Sequence, residues 1–300
     1  MVARTYPETN QQDTLNFGAL EAKSIDYTSR FGQNFSKFVE ELGITRQIPV
    51  QDGFTIKLYG APDVDLADGN VAEGDLIPLS KVTPVAVDTK EIKLKKYRKA
   101  TTMEAIQKYG ANEAINITDD ALIKEVQKNI RTDLFTTIKA GQAKDNLRAG
   151  TLQGALATAW GQLETVFEDD AVRVVAFVHP LDVAQANADK ELTLETQFGL
   201  NYYETATGTV VFTSTQIERG TIYATAAENL QVAYIASNSE AYRAFNMTTD
   251  QFGYIGMVHD TTAEALVVQT VLASGVAMFP ERLDGVIKIA IGEAPTVPAG

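Results

Sequence analysis

Asn116-Ile-Thr-Asp-Asp-Ala-Leu-Ile-Lys-Glu-Val-Gln-Lys-Asn-Ile-Arg-Thr-Asp-Leu-Phe-Thr-Thr-Ile-Lys-Ala-Gly141 is the strongest helical pattern in the chain. Ile123, Val126, Ile130, Leu134 and Ile138 recur on one stripe. Thr118 or Asp119 is the expected N-cap, with carboxylates in the first turn where the macrodipole favours them, and Gly141 is the expected stop. At about 1.5 Å per residue such a helix is on the order of 30–35 Å long. A single stripe on so long a helix means that one face packs while the other meets solvent or a neighbour.

On the N-terminal side of this helix lies a two-stranded pattern. Phe54-Thr-Ile-Lys-Leu-Tyr59 alternates apolar and polar residues, and Val85-Ala-Val-Asp-Thr-Lys-Glu-Ile-Lys-Leu-Lys-Lys-Tyr97 does so over a greater length. Between them, Gly60–Asp75 is rich in glycine and aspartate. The simplest reading is a hairpin with a long acidic tip extended into solvent, and a tip of that length is usually functional or mobile. Further upstream, Phe31, Phe35, Phe38 and Leu42 predict a helix over about 26–42 that stops at Gly43, and residues 1–18 read as a loose polar arm.

On the C-terminal side a second unit begins near Ala149-Gly150. Leu152, Leu156, Trp160, Leu163 and Phe167 form a helix stripe. Val172–Val178 is nearly all apolar, as in the centre of a buried sheet, and Pro180 opens a helix. Strands are predicted at 208–213, 220–225 and 229–235. A strand-rich third section follows at about 245–292, with strands at 252–259, 265–278 and 285–291.

Three hundred residues suggest roughly two domains, and 45% hydrophobic with 22% charged residues is ordinary for a globular chain. Twenty-six basic against 39 acidic side chains give a formal charge of −13, which argues against a surface built to wrap nucleic acid. Cysteine is absent, so disulfides, thiolate zinc sites and cysteine nucleophiles are excluded. Only His179 and His259 are present, which excludes a multi-histidine metal centre. Either would have to serve as the base of a Ser-His-Asp triad; both read better as polar caps, His179 at a strand-to-helix turn and His259 at a strand end. There is no P-loop, no dinucleotide glycine fingerprint and no Gly-x-Ser-x-Gly elbow, and no cofactor is expected. The N-terminus has no signal-peptide pattern and no apolar run approaches 18 residues, so no membrane segment is expected.

Two charged features stand out. The tip carries Asp63, Asp65, Asp68, Glu73 and Asp75; tested as a calcium loop from Asp63 the register fails at three positions, leaving a solvated or partner-facing loop. The run Lys90, Lys93, Lys95, Lys96, Arg98 and Lys99 is the basic counterpart. On an alternating strand its members point both ways, which fits an inter-subunit partner for acidic loops or a protected sheet edge better than a DNA-binding patch.

The order of elements resembles the major capsid proteins of tailed bacteriophages, the Hong Kong 97-type fold. So do Ser29-Arg-Phe-Gly-Gln-Asn-Phe-Ser-Lys-Phe-Val-Glu-Glu-Leu-Gly-Ile-Thr-Arg-Gln-Ile-Pro-Val50, Gly53-Phe-Thr-Ile-Lys-Leu-Tyr59 and the strand-plus-turn Val174-Val-Ala-Phe-Val-His-Pro-Leu-Asp182. The resemblance covers about 20–292 and implies an α+β chain in five parts: an N-terminal arm with a short helix (1–45), an extended E-loop hairpin (46–100), a peripheral domain with the spine helix (101–148), an axial domain (149–240), and return strands with a tail (241–300). It implies a non-enzymatic subunit forming hexamers and pentamers of an icosahedral shell around double-stranded DNA, assembled in the host cytoplasm as part of a virion, with a portal. Some relatives carry a fused scaffolding domain; the 20–25 residues ahead of the first helix are too few for one, so a separate scaffolding protein or unassisted assembly is expected. Certain relatives join subunits by a Lys–Asn isopeptide bond from an E-loop lysine. Here no lysine lies between Lys57 and Lys81, so non-covalent shells are expected. The expected inter-subunit contact sets the acidic tip against Lys93, Lys95, Lys96, Arg98 and Lys99 of a neighbour, with Lys124, Lys128 and Arg131 as the second candidate surface. An encapsulin-like nanocompartment shell is the alternative within the same fold, and a carbohydrate-binding or hydrolytic protein the alternative from another class.

Overall fold

The computed structural model describes residues 17–60, 63–71, 74, 76–140, 147–167, 172–186, 188, 194–205, 207–237 and 240–292. Helix α1 (Phe17–Glu41) leads into β1 (Arg46–Val50). The hairpin follows, with β2 (Phe54–Tyr59), β3 (Asp63–Asp65), β4 (Lys81–Thr83) and β5 (Ala86–Ile92). Next come β6 (Lys95–Thr102), α2 (Met103–Tyr109), the long α3 (Ala111–Lys139), β7 (Arg148–Ala149), α4 (Leu152–Val166), β8 (Val174–Val178) and α5 (Pro180–Ala186). The remaining elements are β9 (Glu195–Gln197), β10 (Leu200–Glu204), β11 (Val210–Thr213), β12 (Thr221–Ala226), β13 (Leu230–Ile235), α6 (Glu240–Ala244), β14 (Thr248–Thr249), β15 (Ile255–Thr262), β16 (Val267–Ser274), β17 (Val276–Pro280) and β18 (Val286–Ile291).

The largest sheet has the order β7-β18-β12-β8-β11-β10-β9, with β8 at its middle. Its apolar run is continuous because both faces are covered. Val174, Ala176 and Val178 face the core under α4, whereas Val175 and Phe177 face a second core built from α1 and α3. On α4 the predicted stripe is displaced: Leu152, Leu156 and Leu163 are buried, but Ala155 and Ala159 complete the inner face and Trp160 is 45% exposed. Small side chains let the helix approach the sheet closely, and the indole is left at the rim. The Pro180 turn is as expected, with the Leu181 N–H donating to His179 Nδ1 (3.2 Å).

In the α1–α3 core, Phe31, Phe35 and Phe38 stand against Phe198, with ring centroids 5.8, 5.3 and 5.2 Å away. The helix begins earlier than the predicted Asp26 because Phe17–Ile25 contains good helix formers and Leu20 packs with Ile115 and Val268. It ends at Gly43 (φ +71°), where the Gly43 N–H bonds to the Glu40 carbonyl and the Ile44 N–H to the Val39 carbonyl. That pair of bonds is a Schellman motif, which needs the left-handed glycine.

Two patterns read as single strands are divided. The 85–97 run breaks at Lys93-Leu94: β5 pairs with β2, while β6 leaves the hairpin to pair with β16 in a sheet ordered β14-β15-β16-β6. The 265–278 run breaks at Gly275, where any Cβ would lie 2.6 Å from Ile235 Cδ1. Beyond it, β17 joins β13 and β1, and β18 joins the seven-stranded sheet beside β12.

The spine helix α3 is 29 residues long, on the order of 43 Å, and starts at Gly110 without a side-chain cap. Thr118 and Asp119 are therefore inside it rather than at its N-cap, and the expected stop at Gly141 lies outside the described residues. Thr118 donates back to the Ala114 carbonyl (2.8 Å), the ordinary fate of a helix-interior threonine. Asp119 is fully buried and accepts from His259 Nε2 (2.8 Å), Thr270 Oγ1 (2.9 Å) and Lys99 Nζ (2.8 Å). Burial alone would raise its carboxyl, but the bonds from His259 and Lys99 and their charge outweigh burial and hold it below the usual carboxylate value.

Phe35 is completely buried among rings from three elements, so Phe35→Ala is expected to destabilise the chain by about 3–5 kcal/mol, read from chemical denaturation. Asp119→Asn leaves the Lys99 ammonium, only 16% exposed, without its counter-charge and is expected to cost about 3 kcal/mol. A depressed folded pKa gives stability that is present above the unfolded value of about 3.9 and is lost as pH falls through the folded value. Wild-type stability is therefore expected to fall more steeply below about pH 4 than that of Asp119→Asn.

Candidate assembly interface

The hairpin is anchored at its base and free at its end. Leu58 and Ile92 pack with Ala233, Ile235, Ala277 and Phe279 of the β13–β17 pair, and the Tyr59 N–H donates to the Glu281 carbonyl (3.1 Å). Farther out, β3 and β4 pair only with one another among the described residues. From the Phe54–Ile92 pair to Leu66 the arm reaches up to on the order of 40 Å at about 3.3 Å per residue.

Of the five tip carboxylates, Asp63 and Asp65 lie exposed on β3, and Asp68 is exposed with Oδ1 accepting from the Asn70 N–H (2.9 Å). Glu73 and Asp75 lie outside the described residues. The tip also carries an apolar segment that charge-based reading passed over, Leu76-Ile-Pro-Leu79. Leu76, Ile77 and Leu79 are 94%, 75% and 96% exposed. The signal was there in the sequence: three large aliphatic residues around a proline, next to a stretch rich in Gly and Asp.

The basic run is divided by the same break that ends β5. Lys90 on β5 is half-buried, its ammonium donating to Thr137 Oγ1 (2.6 Å) on α3 and toward the Met278 carbonyl (3.3 Å). Burial pushes this lysine down, with Asp133 partly opposing. Lys93 pairs with Glu91 (2.7 Å). On β6 the alternation is strict. Lys95 and Lys99 face α3, pairing with Asp133 and Asp119, and Tyr97 between them reaches Asn129. Lys96 and Arg98 face the other way and have no ion pair among the described residues. Lys93, Lys95 and Lys99 are therefore engaged within the chain, and Lys96 and Arg98 are the ribbon cations left open. On α3, the second candidate surface, Lys128 pairs with Glu125 (3.2 Å) and the Arg131 guanidinium bonds to the Phe198 carbonyl.

His259 is not a strand-end cap. It sits within β15, with Nε2 on Asp119 and Nδ1 2.6 Å from Ser24 Oγ. A carboxylate only accepts, so Nε2 carries a proton toward Asp119. The order Ser–His–Asp is that of hydrolytic triads, but the geometry is structural. Ser24 lies inside α1 with its hydroxyl also 3.2 Å from the Leu20 carbonyl. Helix-interior N–H groups are committed to the helix, so the backbone of α1 offers no donor to an oxyanion formed at Ser24.

No protein-family model matches the chain, and no curated protein matches its sequence. Solved structures do match. The capsid of an empty GTA particle superposes with a TM-score of 0.52 at 9% identity, covering 84% of this chain and 89% of that one. Gordonia phage Cozz superposes at 0.50 and 10% identity, covering 85% and 86%. The holo-SrpI encapsulin complex from Synechococcus elongatus PCC 7942 is looser at 0.48, with 11% identity and coverage of 87% and 91%. At such identities the shared property is the path of the chain. An extended hairpin, a long spine helix, a seven-stranded sheet and a four-stranded sheet make this an α+β chain of the Hong Kong 97-type capsid fold.

Proposed function

We propose that this chain is a major capsid protein of a tailed phage, a structural subunit that self-assembles into the hexamers and pentamers of an icosahedral shell around double-stranded DNA, with no catalytic turnover. The observation that carries this reading is the hairpin, which projects from a chain of capsid fold, pairs only with itself in its outer half and exposes Leu66, Leu76, Ile77 and Leu79. An isolated protein gains nothing from such an arm. A heterologous contact repeated until it closes with symmetry makes use of it. The acidic tip at Asp63, Asp65 and Asp68, with Glu73 and Asp75, lies against basic side chains of the next subunit in this reading. A portal, a separate scaffolding protein and assembly in the host cytoplasm belong to the same reading. The formal charge of −13 suits a wall that does not grip its genome, so that DNA enters and leaves without being bound.

Size-exclusion chromatography with negative-stain microscopy of the pure protein is expected to show shells, or rings of five or six subunits; a strict 32.6 kDa monomer at all concentrations overturns the proposal. Duplex DNA is expected to be washed from the purified protein at physiological salt. Retention with sub-micromolar affinity would contradict the non-gripping wall.

A further inference from the structure

We infer that Ser24 is a proton-adaptive latch: its hydroxyl reverses direction with the charge of His259, so the first half of α1 stays docked whether that ring carries one proton or two. The buried phenyl stripe Phe31, Phe35 and Phe38 belongs to the other half of the helix. The first half is attached differently. Leu20 packs with Ile115 and Val268, the Tyr27 hydroxyl donates to the Asn116 carbonyl (3.4 Å), and Ser24 Oγ meets His259 Nδ1 (2.6 Å). Nε2 of that ring is committed to Asp119, so Nδ1 is the atom that changes: a bare acceptor in the neutral ring, an N–H donor in the imidazolium. A hydroxyl carries one hydrogen and has lone pairs to receive another. Ser24 has both alternatives within reach. Toward a neutral ring it donates to Nδ1; toward the imidazolium it accepts there and turns its own hydrogen to the Leu20 carbonyl (3.2 Å). No buried donor is stranded in either state.

Charges of both signs face the ring among the described side chains. Asp119 of α3 favours the imidazolium, and Lys99 of β6 opposes it through the same carboxylate, with Lys23 of α1 close to that pair. Thr270 of β16 is neutral and donates to Asp119. Tyr27, near Asp119 and Asp120, keeps its proton, because burial first and those carboxylates next push its hydroxyl up to about 12. Lys96 and Asp260 lie one step along their strands, on the other face of the sheet. They line a hollow of about 850 Å³ whose wall also includes Ser24 and His259. The ring is therefore buried but not sealed, and solvent protons have a route to it. Asp119 is held below the usual carboxylate value by its bonds from His259 and Lys99 despite burial, so it remains ionised while imidazoles change charge.

Ser24→Ala removes the reversible partner and little else. Amide hydrogen exchange of the full-length chain, read by mass spectrometry and corrected for the intrinsic pH dependence of exchange, compares residues 17–28 with 31–41 of α1. From about pH 8 to about pH 5, where imidazoles gain charge, wild type is expected to hold the protection of 17–28 constant within about twofold. Ser24→Ala is expected to lose about tenfold of that protection on acidification, because the imidazolium then buries an N–H without an acceptor, while 31–41 stays protected. Adding His259→Gln to Ser24→Ala is expected to abolish the pH dependence, since the titrating ring is gone. A flat profile in Ser24→Ala overturns the latch. So does a pH-dependent loss from 17–28 in wild type, or a pH dependence that survives in the double variant. Assembled and unassembled protein serve alike, so the result stands apart from the shell reading.

Discussion

The structure depends on one aromatic contact. Phe198, at the turn between β9 and β10, is held against Phe31, Phe35 and Phe38 of α1, and Phe38 in turn meets Phe212 of the seven-stranded sheet. Arg131 of the spine helix lies over the same ring, 5.9 Å from its centroid, and bonds to the Phe198 carbonyl. An amphipathic helix as long as α1 has to bury its phenyl stripe, and one cluster does so while joining α1, α3 and the seven-stranded sheet. The positive φ of Phe198 (50°) is uncommon for a bulky residue, and the cluster and Arg131 hold it there.

A chain locked by that cluster can carry an arm with no internal support. The hairpin base is secured by Leu58, Ile92 and the half-buried Lys90, so its orientation is set by the body. Electrostatics follows the same division. The cations facing the spine helix neutralise Asp119 and Asp133, and those on the opposite face of β6 stay open. Lys96 and Arg98 on the edge strand β6 also discourage indiscriminate strand pairing.

Much of this was legible in the residues. The stripes Phe31–Leu42 and Val126–Ile138, the continuous apolar β8, the Pro180 turn and the pairing of β2 with β5 are local periodicities with local causes, and the chain folds as they indicate. The acidity of the hairpin end was equally plain. Composition alone excluded thiol chemistry and multi-histidine metal sites, because the required atoms are missing.

Long-range packing decided the rest. The break at Lys93-Leu94 has no strong sequence mark, since alternation runs through it; β6 departs because β16 provides a ladder for it. Asp119 looked like a helix cap because carboxylates favour first turns, and it is buried because His259, Thr270 and Lys99, distant in sequence, converge on it with donors. The division of the basic ribbon into engaged and open cations likewise depends on which face of β6 the spine helix covers. Periodicity reports that a side chain has a face, but only the folded chain determines what lies against it.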